Sequence, residues 1–211
     1  MNKRKNALND PLSIVLALPL AQAYAHMGLR DYNEFSAMFE AAKEKNIPIP
    51  PDATTRAIAT AMVLAFSAEL FLKIMHFQRT GIYPQGHSLM ELVEKLPNDA
   101  RRSLKNRYEE CVARTPKLLH LRYELFVNEP PPMPPANEHN RPPENWPGHT
   151  FEEAIALASP LFVKLRYLYE EVTVGFSANV DFSWLIFLVD ALGTEVLSYQ
   201  DGPMKITFNK I

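Results

Sequence analysis

Several charged side chains in this sequence sit at spacings that could do chemistry. Glu69, Lys73 and His76 follow one another at helical-turn intervals along an otherwise apolar stretch, so they share one side of a helix. A carboxylate, an ammonium and an imidazole on one stripe can pair among themselves or build a polar site between helices. Arg166 and Glu170 are also one turn apart, at the edge of an apolar face made by Leu161, Phe162, Leu165, Leu168, Tyr169 and Val172. Arginine suits inward pairing because its planar fork binds carboxylates bidentately and stays charged. Other chemistry lacks its residues: there is no glycine-rich phosphate loop, no HExxH and no nucleophile elbow. His139 and His149 fall among prolines and read as solvated, His26 as a core or boundary histidine, and Trp146 and Trp184 as packing groups. The single cysteine, Cys111, excludes an internal disulfide and a cysteine-cluster metal site. No cofactor and no metal is implied.

The elements that must position these groups follow from composition and pattern. The chain has 211 residues, 47% hydrophobic and 22% charged, enough for one sizeable core and inconsistent with wholesale disorder. A net charge of −2 and a pI near 6.3 exclude a uniformly basic nucleic-acid binder, though not a local basic patch. No apolar run reaches the roughly 18 residues that span a bilayer, so no membrane partner is expected.

The N-terminus reads two ways. Lys3, Arg4 and Lys5 precede the apolar Leu12–Leu20, and Ala21-Gln22-Ala23 and Ala23-Tyr24-Ala25 resemble signal-peptidase sites. Asp10 and Pro11 equally suit a helix N-cap and first turn, and apolar helical spacing continues through Leu29, Phe35, Met38 and Phe39. The helix reading places the protein in the cytoplasm; the signal reading makes it exported.

The rest of the chain reads as one all-α domain over residues 1–211. A first helix runs from Pro11 to about Asn46, bent near Pro19 and Gly28, and Pro48, Pro50 and Pro51 end it. Asp52 or Thr54 caps a second helix that reaches about Arg79. His87 or Ser88 opens a short helix stopped by Pro97, and Asn98 or Asp99 opens another through about Val112. Lys117–Val127 reads as a further helical turn or two. Glu129–His149 holds eight prolines and reads as an exposed, partly extended loop. Thr150 caps a helix to about Val174 with a kink at Pro160, Ala178–Asp181 reads as a turn, and Phe182–Tyr199 forms the last helix. Met204–Phe208 alternates as a small terminal strand would.

The second helix is nearly all apolar from Ala57 to Phe77, so other helices should surround it. Its polar residues form two stripes: Arg56, Thr60, Ser67 and Gln78 on one side, Glu69, Lys73 and His76 roughly opposite. One stripe can face solvent and the other then faces the bundle. The simplest joint solution for Glu69 and Arg166 is that their helices pack and the charges meet, with Tyr167, Lys73 or His87 completing the hydrogen bonds.

Ser67-Ala68-Glu69-Leu70-Phe71-Leu72-Lys73, followed by Gly81 and then Gly86-His87-Ser88-Leu89, resembles the signature of HEPN-type helical domains. Phe162-Val163-Lys164-Leu165-Arg166-Tyr167-Leu168-Tyr169-Glu170 is similar to the Arg-Tyr segment of the same group. The resemblance implies a helical bundle of about five to six helices, commonly a homodimer. It also implies an activity, since many HEPN proteins are metal-independent endoribonucleases of toxin–antitoxin or antiviral defence systems. Their Arg-to-His spacing is met only by Arg114 and His120, with Pro116 inside the motif. His120 would then serve as general acid or base and Arg114 would stabilise the phosphorane charge.

Three functional expectations follow. The first is a HEPN-like protein that binds RNA, a nucleotide or a protein partner, with Glu69, Lys73, His87, Arg166, Tyr167 and Glu170 holding the bundle or its polar groove. Arg101, Arg102 and Lys105, clustered on one helical face, would contact RNA phosphate or simply face solvent. The second is the endoribonuclease just described. The third is a structural or interaction domain with no ligand.

Overall fold

The computed structural model describes residues 11–48, 50–114, 122–127, 150–161 and 176–199. The fold is all-α. Its elements are α1 (Pro11–Glu44), α2 (Pro51–Thr80), α3 (Leu89–Glu94), α4 (Asn98–Arg114), α5 (Phe151–Ala158) and α6 (Phe182–Ser198). A short antiparallel ribbon of β1 (Arg122–Val127) and β2 (Phe176–Asp181) completes them.

α2 is the central element. Ala61, Leu64, Ala65, Ala68, Leu72 and Ile74 are fully buried, and the helix packs along α1 on one side and α6 on another. By length and hydropathy Thr55–Thr80 is apolar enough to cross a membrane, which the count of uninterrupted apolar residues did not reveal. Within the bundle, 72% of that window is buried against protein. Each large apolar side chain so covered contributes about 1.5–3 kcal/mol, so α2 dominates the core. It starts at Pro51, after Pro50, and ends at Gly81, whose φ of 71° lets its N–H cap the Phe77 carbonyl.

α1 continues unbroken through Pro19 and past Ala25, and Leu18, Ala21, Ala25, Tyr32 and Phe35 all lie in the core. Gly28 lets α1 lie close against α2: a Cβ there would stand 2.5 Å from Leu64 Cδ2. α3 begins at Ser88, whose hydroxyl accepts the Glu91 N–H. α5 begins with a capping box between Thr150 and Glu153.

Three local expectations are corrected. Arg122–Val127 is a strand rather than a helical turn, and the expected turn at Ala178–Asp181 is part of its partner strand, with Arg122 opposite Asp181 and Val127 opposite Phe176. The pairing joins segments far apart in the chain, so no local periodicity announces it. The helix opened by Thr150 is interrupted by a turn at Ser159 and Pro160, where a kink was expected, and the chain is helical again at Leu161; residues 162–174 lie outside the described residues. The Glu129–His149 loop, the Met204–Phe208 strand, and Arg166, Tyr167, Glu170 and His120 lie outside the described residues.

Candidate functional site

The two polar stripes of α2 do not divide between solvent and core. Thr60, Ser67 and Gln78 are buried, and so are Glu69, Lys73 and His76; only Arg56 is exposed. The expectation of one solvated stripe is therefore wrong, because helices cover α2 on both sides. Each stripe instead hydrogen-bonds to a neighbour's backbone. Ser67 Oγ donates to the Ala21 carbonyl at 2.8 Å, Gln78 Nε2 to Val196 at 3.0 Å and His76 Nε2 to Leu92 at 2.5 Å.

Glu69 is the centre of the candidate site. It is 1% exposed, and its Oε1 accepts from Lys73 Nζ at 2.7 Å and stands 2.9 Å from His87 Nδ1. α2 supplies the first two residues one turn apart. The loop from Gly81 to Gly86 turns back through two positive-φ glycines and brings His87 over them. Tyr83, which the sequence reading did not single out, lies in that loop with its ring centroid 5.9 Å from Lys73 Nζ. Burial, and then the charge of Glu69, push the Tyr83 hydroxyl above its ordinary pKa. The second oxygen of the carboxylate, Oε2, is buried with no hydrogen-bond partner among the described residues. The His87 side chain is 54% exposed, so the imidazole is the solvent-facing edge of the site.

No family model, no curated protein and no solved structure matches the chain. The site is therefore read from its own geometry.

The other expected residues that are described have different partners. Arg114 ends α4 on the surface, its Nε donating to the Glu110 carbonyl at 3.2 Å and its Nη2 standing 3.9 Å from a Glu110 carboxylate oxygen. Arg101 and Arg102 are exposed, with Arg101 bonded to Asn98. Lys105 pairs with Glu152 of α5 at 2.8 Å, which makes it a link between helices. His26 is exposed rather than a core histidine, and Trp184 is buried as a packing group. Among the described residues no group of three or more His, Cys, Asp or Glu is arranged to hold a metal.

A second polar cluster escaped the sequence reading. Glu195 of α6 is 3% exposed and receives Arg79 Nη2 at 2.7 Å, Ser103 Oγ at 2.9 Å and Arg107 Nε at 3.0 Å. It ties the ends of α2, α4 and α6 together, and the Arg79 guanidinium stacks on Tyr199 at 4.0 Å from the ring centroid. With both carboxylate oxygens satisfied, this cluster reads as a structural clamp.

Proposed function

We propose that the protein is a HEPN-like binding protein whose Glu69–Lys73–His87 site takes a nucleotide unit, free or within RNA. The observation that supports this reading is the buried Glu69 Oε2, an acceptor with no partner among the described residues beside an ammonium and an accessible imidazole. A buried polar atom left unsatisfied costs about 1–3 kcal/mol, which a ligand donor would recover. A ribose hydroxyl or base N–H supplies that donor, and Lys73 and His87 complement a phosphate. Arg101 and Arg102 add phosphate contacts in the RNA case. The assembly proposed with this reading is a homodimer in the cytoplasm.

Calorimetric titration with adenosine monophosphate and with a short single-stranded oligoribonucleotide tests it. Binding that His87→Ala weakens at least tenfold supports the reading, since that exposed side chain can be removed without opening the core. Absence of binding by both probes overturns it. Incubating RNA with the protein without added metal, beside His120→Ala, tests the nuclease alternative. Cleavage lost in His120→Ala would replace simple binding with catalysis.

A further inference from the structure

α1 and α6 each pack extensively on α2 but only slightly on each other. Between them lies a cleft of about 300 Å³, floored by Phe71 and walled by Leu29, Ile186, Phe187 and Leu197. It is separate from the Glu69 site: Phe71 and Glu69 are two residues apart, about 200° around α2. A cleft of this size lies at the small end of those that hold organic ligands.

Two features of α6 point to an occupant. Gly193 sits in the helix interior, where glycine is unfavourable relative to alanine. A Cβ there would find nothing nearer than Phe71 Cζ at 3.5 Å, an ordinary contact, so packing does not require the glycine. Its effect is to keep the cleft open. Asp190, one turn earlier, lines the same cleft and accepts a hydrogen bond from the Cys111 thiol at 3.2 Å, a weak donor. Arg114 Nη2 donates to Cys111 Sγ at 3.9 Å. A mostly apolar cleft thus ends at an exposed carboxylate, Asp190, that forms no ion pair within 4.0 Å among the described residues.

We propose that this cleft binds an organic cation with an apolar body, an alkyl or aryl amine whose ammonium pairs with Asp190. Charge complementarity selects the amine over a neutral molecule of the same shape, and Phe71, Phe187 and Leu29 cover the body. His26 and Thr194 at the rim offer further hydrogen bonds.

The test titrates the full chain with 2-phenylethylamine and with its neutral match, 2-phenylethanol. The amine should bind at least tenfold tighter than the alcohol, and Asp190→Asn should abolish that preference. Gly193→Leu, which fills the cleft, should block both. Equal affinity for amine and alcohol, no binding of either, or a preference that survives Asp190→Asn overturns the proposal. Sedimentation of the same proteins covers a second copy of the chain as occupant. A dimer that Gly193→Leu converts to monomer, with no amine binding, overturns the ligand reading. If Gly193→Leu does not fold, the Asp190→Asn comparison decides alone.

Discussion

Arg79 and Glu195 are 116 residues apart in sequence, yet their guanidinium and carboxylate meet at 2.7 Å where α2, α4 and α6 end together. The carboxylate is almost wholly buried, while Arg79 and Arg107 keep 18% and 34% of their side chains in solvent. Glu195→Ala leaves two guanidiniums facing each other without their acid. The expected loss is about 3 kcal/mol, at the low end for a broken buried pair because both arginines can rehydrate. Urea unfolding of the variant measures it, and a loss below about 1 kcal/mol would reduce the clamp to a surface contact.

Glu69 and Lys73 give a different expectation, because both ends of that pair are buried. Glu69→Leu alone strands an ammonium that is 8% exposed and should cost about 3–5 kcal/mol. Adding Lys73→Met should recover most of that loss, since an apolar pair of similar volume removes both desolvation penalties. A double-mutant cycle in denaturant reads the coupling. Additive losses would show that the two groups do not depend on each other.

The legibility of the fold differed by kind of interaction. Apolar periodicity, prolines and caps placed α1, α2, α3, α4 and α6 within a few residues, because those signals are local. Ser88 and Thr150 do cap their helices as their spacing implied. Glu195 was invisible because its partners lie 88 to 116 residues away, beyond any local spacing. The Glu69–Lys73 pair could be read from the i,i+4 spacing, and His87 was named as a completing partner. The expectation of a solvated stripe failed because angular position on a helix says which residues share a side, not what packs there.

Two glycines should respond oppositely to the same change. Gly28→Ala drives a methyl into Leu64, a fully buried side chain, and should destabilise by about 1–3 kcal/mol. Gly193→Ala meets only an ordinary contact and should stabilise α6 by about 0.5–1 kcal/mol. Thermal midpoints of the two variants would therefore move apart; a shift of both in the same direction contradicts the packing described.

Cys111 carries an alkaline prediction. Burial first, then the hydrogen bond to Asp190, push its thiol up to about 11 from an ordinary 9.0. Above pH 9 the unfolded chain releases this proton while the folded chain retains it, so folding stability falls as pH rises from about 9 to about 11. Burial likewise raises the Tyr108 hydroxyl, which adds to the loss at higher pH. Cys111→Ala should flatten the part of the stability profile that begins near pH 9. An unchanged slope in that variant would show that the thiol is not held neutral by the fold.

The two readings of the N-terminus meet a direct measurement. Leu18 and Ala21 are buried, and the Ala21 carbonyl accepts the Ser67 hydroxyl. Removal of residues 1–25 should abolish cooperative unfolding, because it takes Leu18, Ala21 and Ala25 out of the core and removes the acceptor of the Ser67 hydroxyl. Mass spectrometry of the protein from its native host should find the Leu12–Leu20 segment retained. A mature chain starting after Ala23 or Ala25, still folding cooperatively, would contradict both statements.

Because α1 and α6 flank α2 and meet each other only slightly, as where Tyr32 and Phe35 touch Phe182, most of the contact between them runs through one helix. Amide protons of α2 near Leu64, Ala68 and Leu72 then exchange with solvent only when the whole bundle opens. Those of α1 and α6 can exchange by peeling off a single flank. The slowest deuterium uptake marks the spine of the molecule. The Glu69 and Phe71 faces of that spine will report on each other only through motions that move α2 as a body.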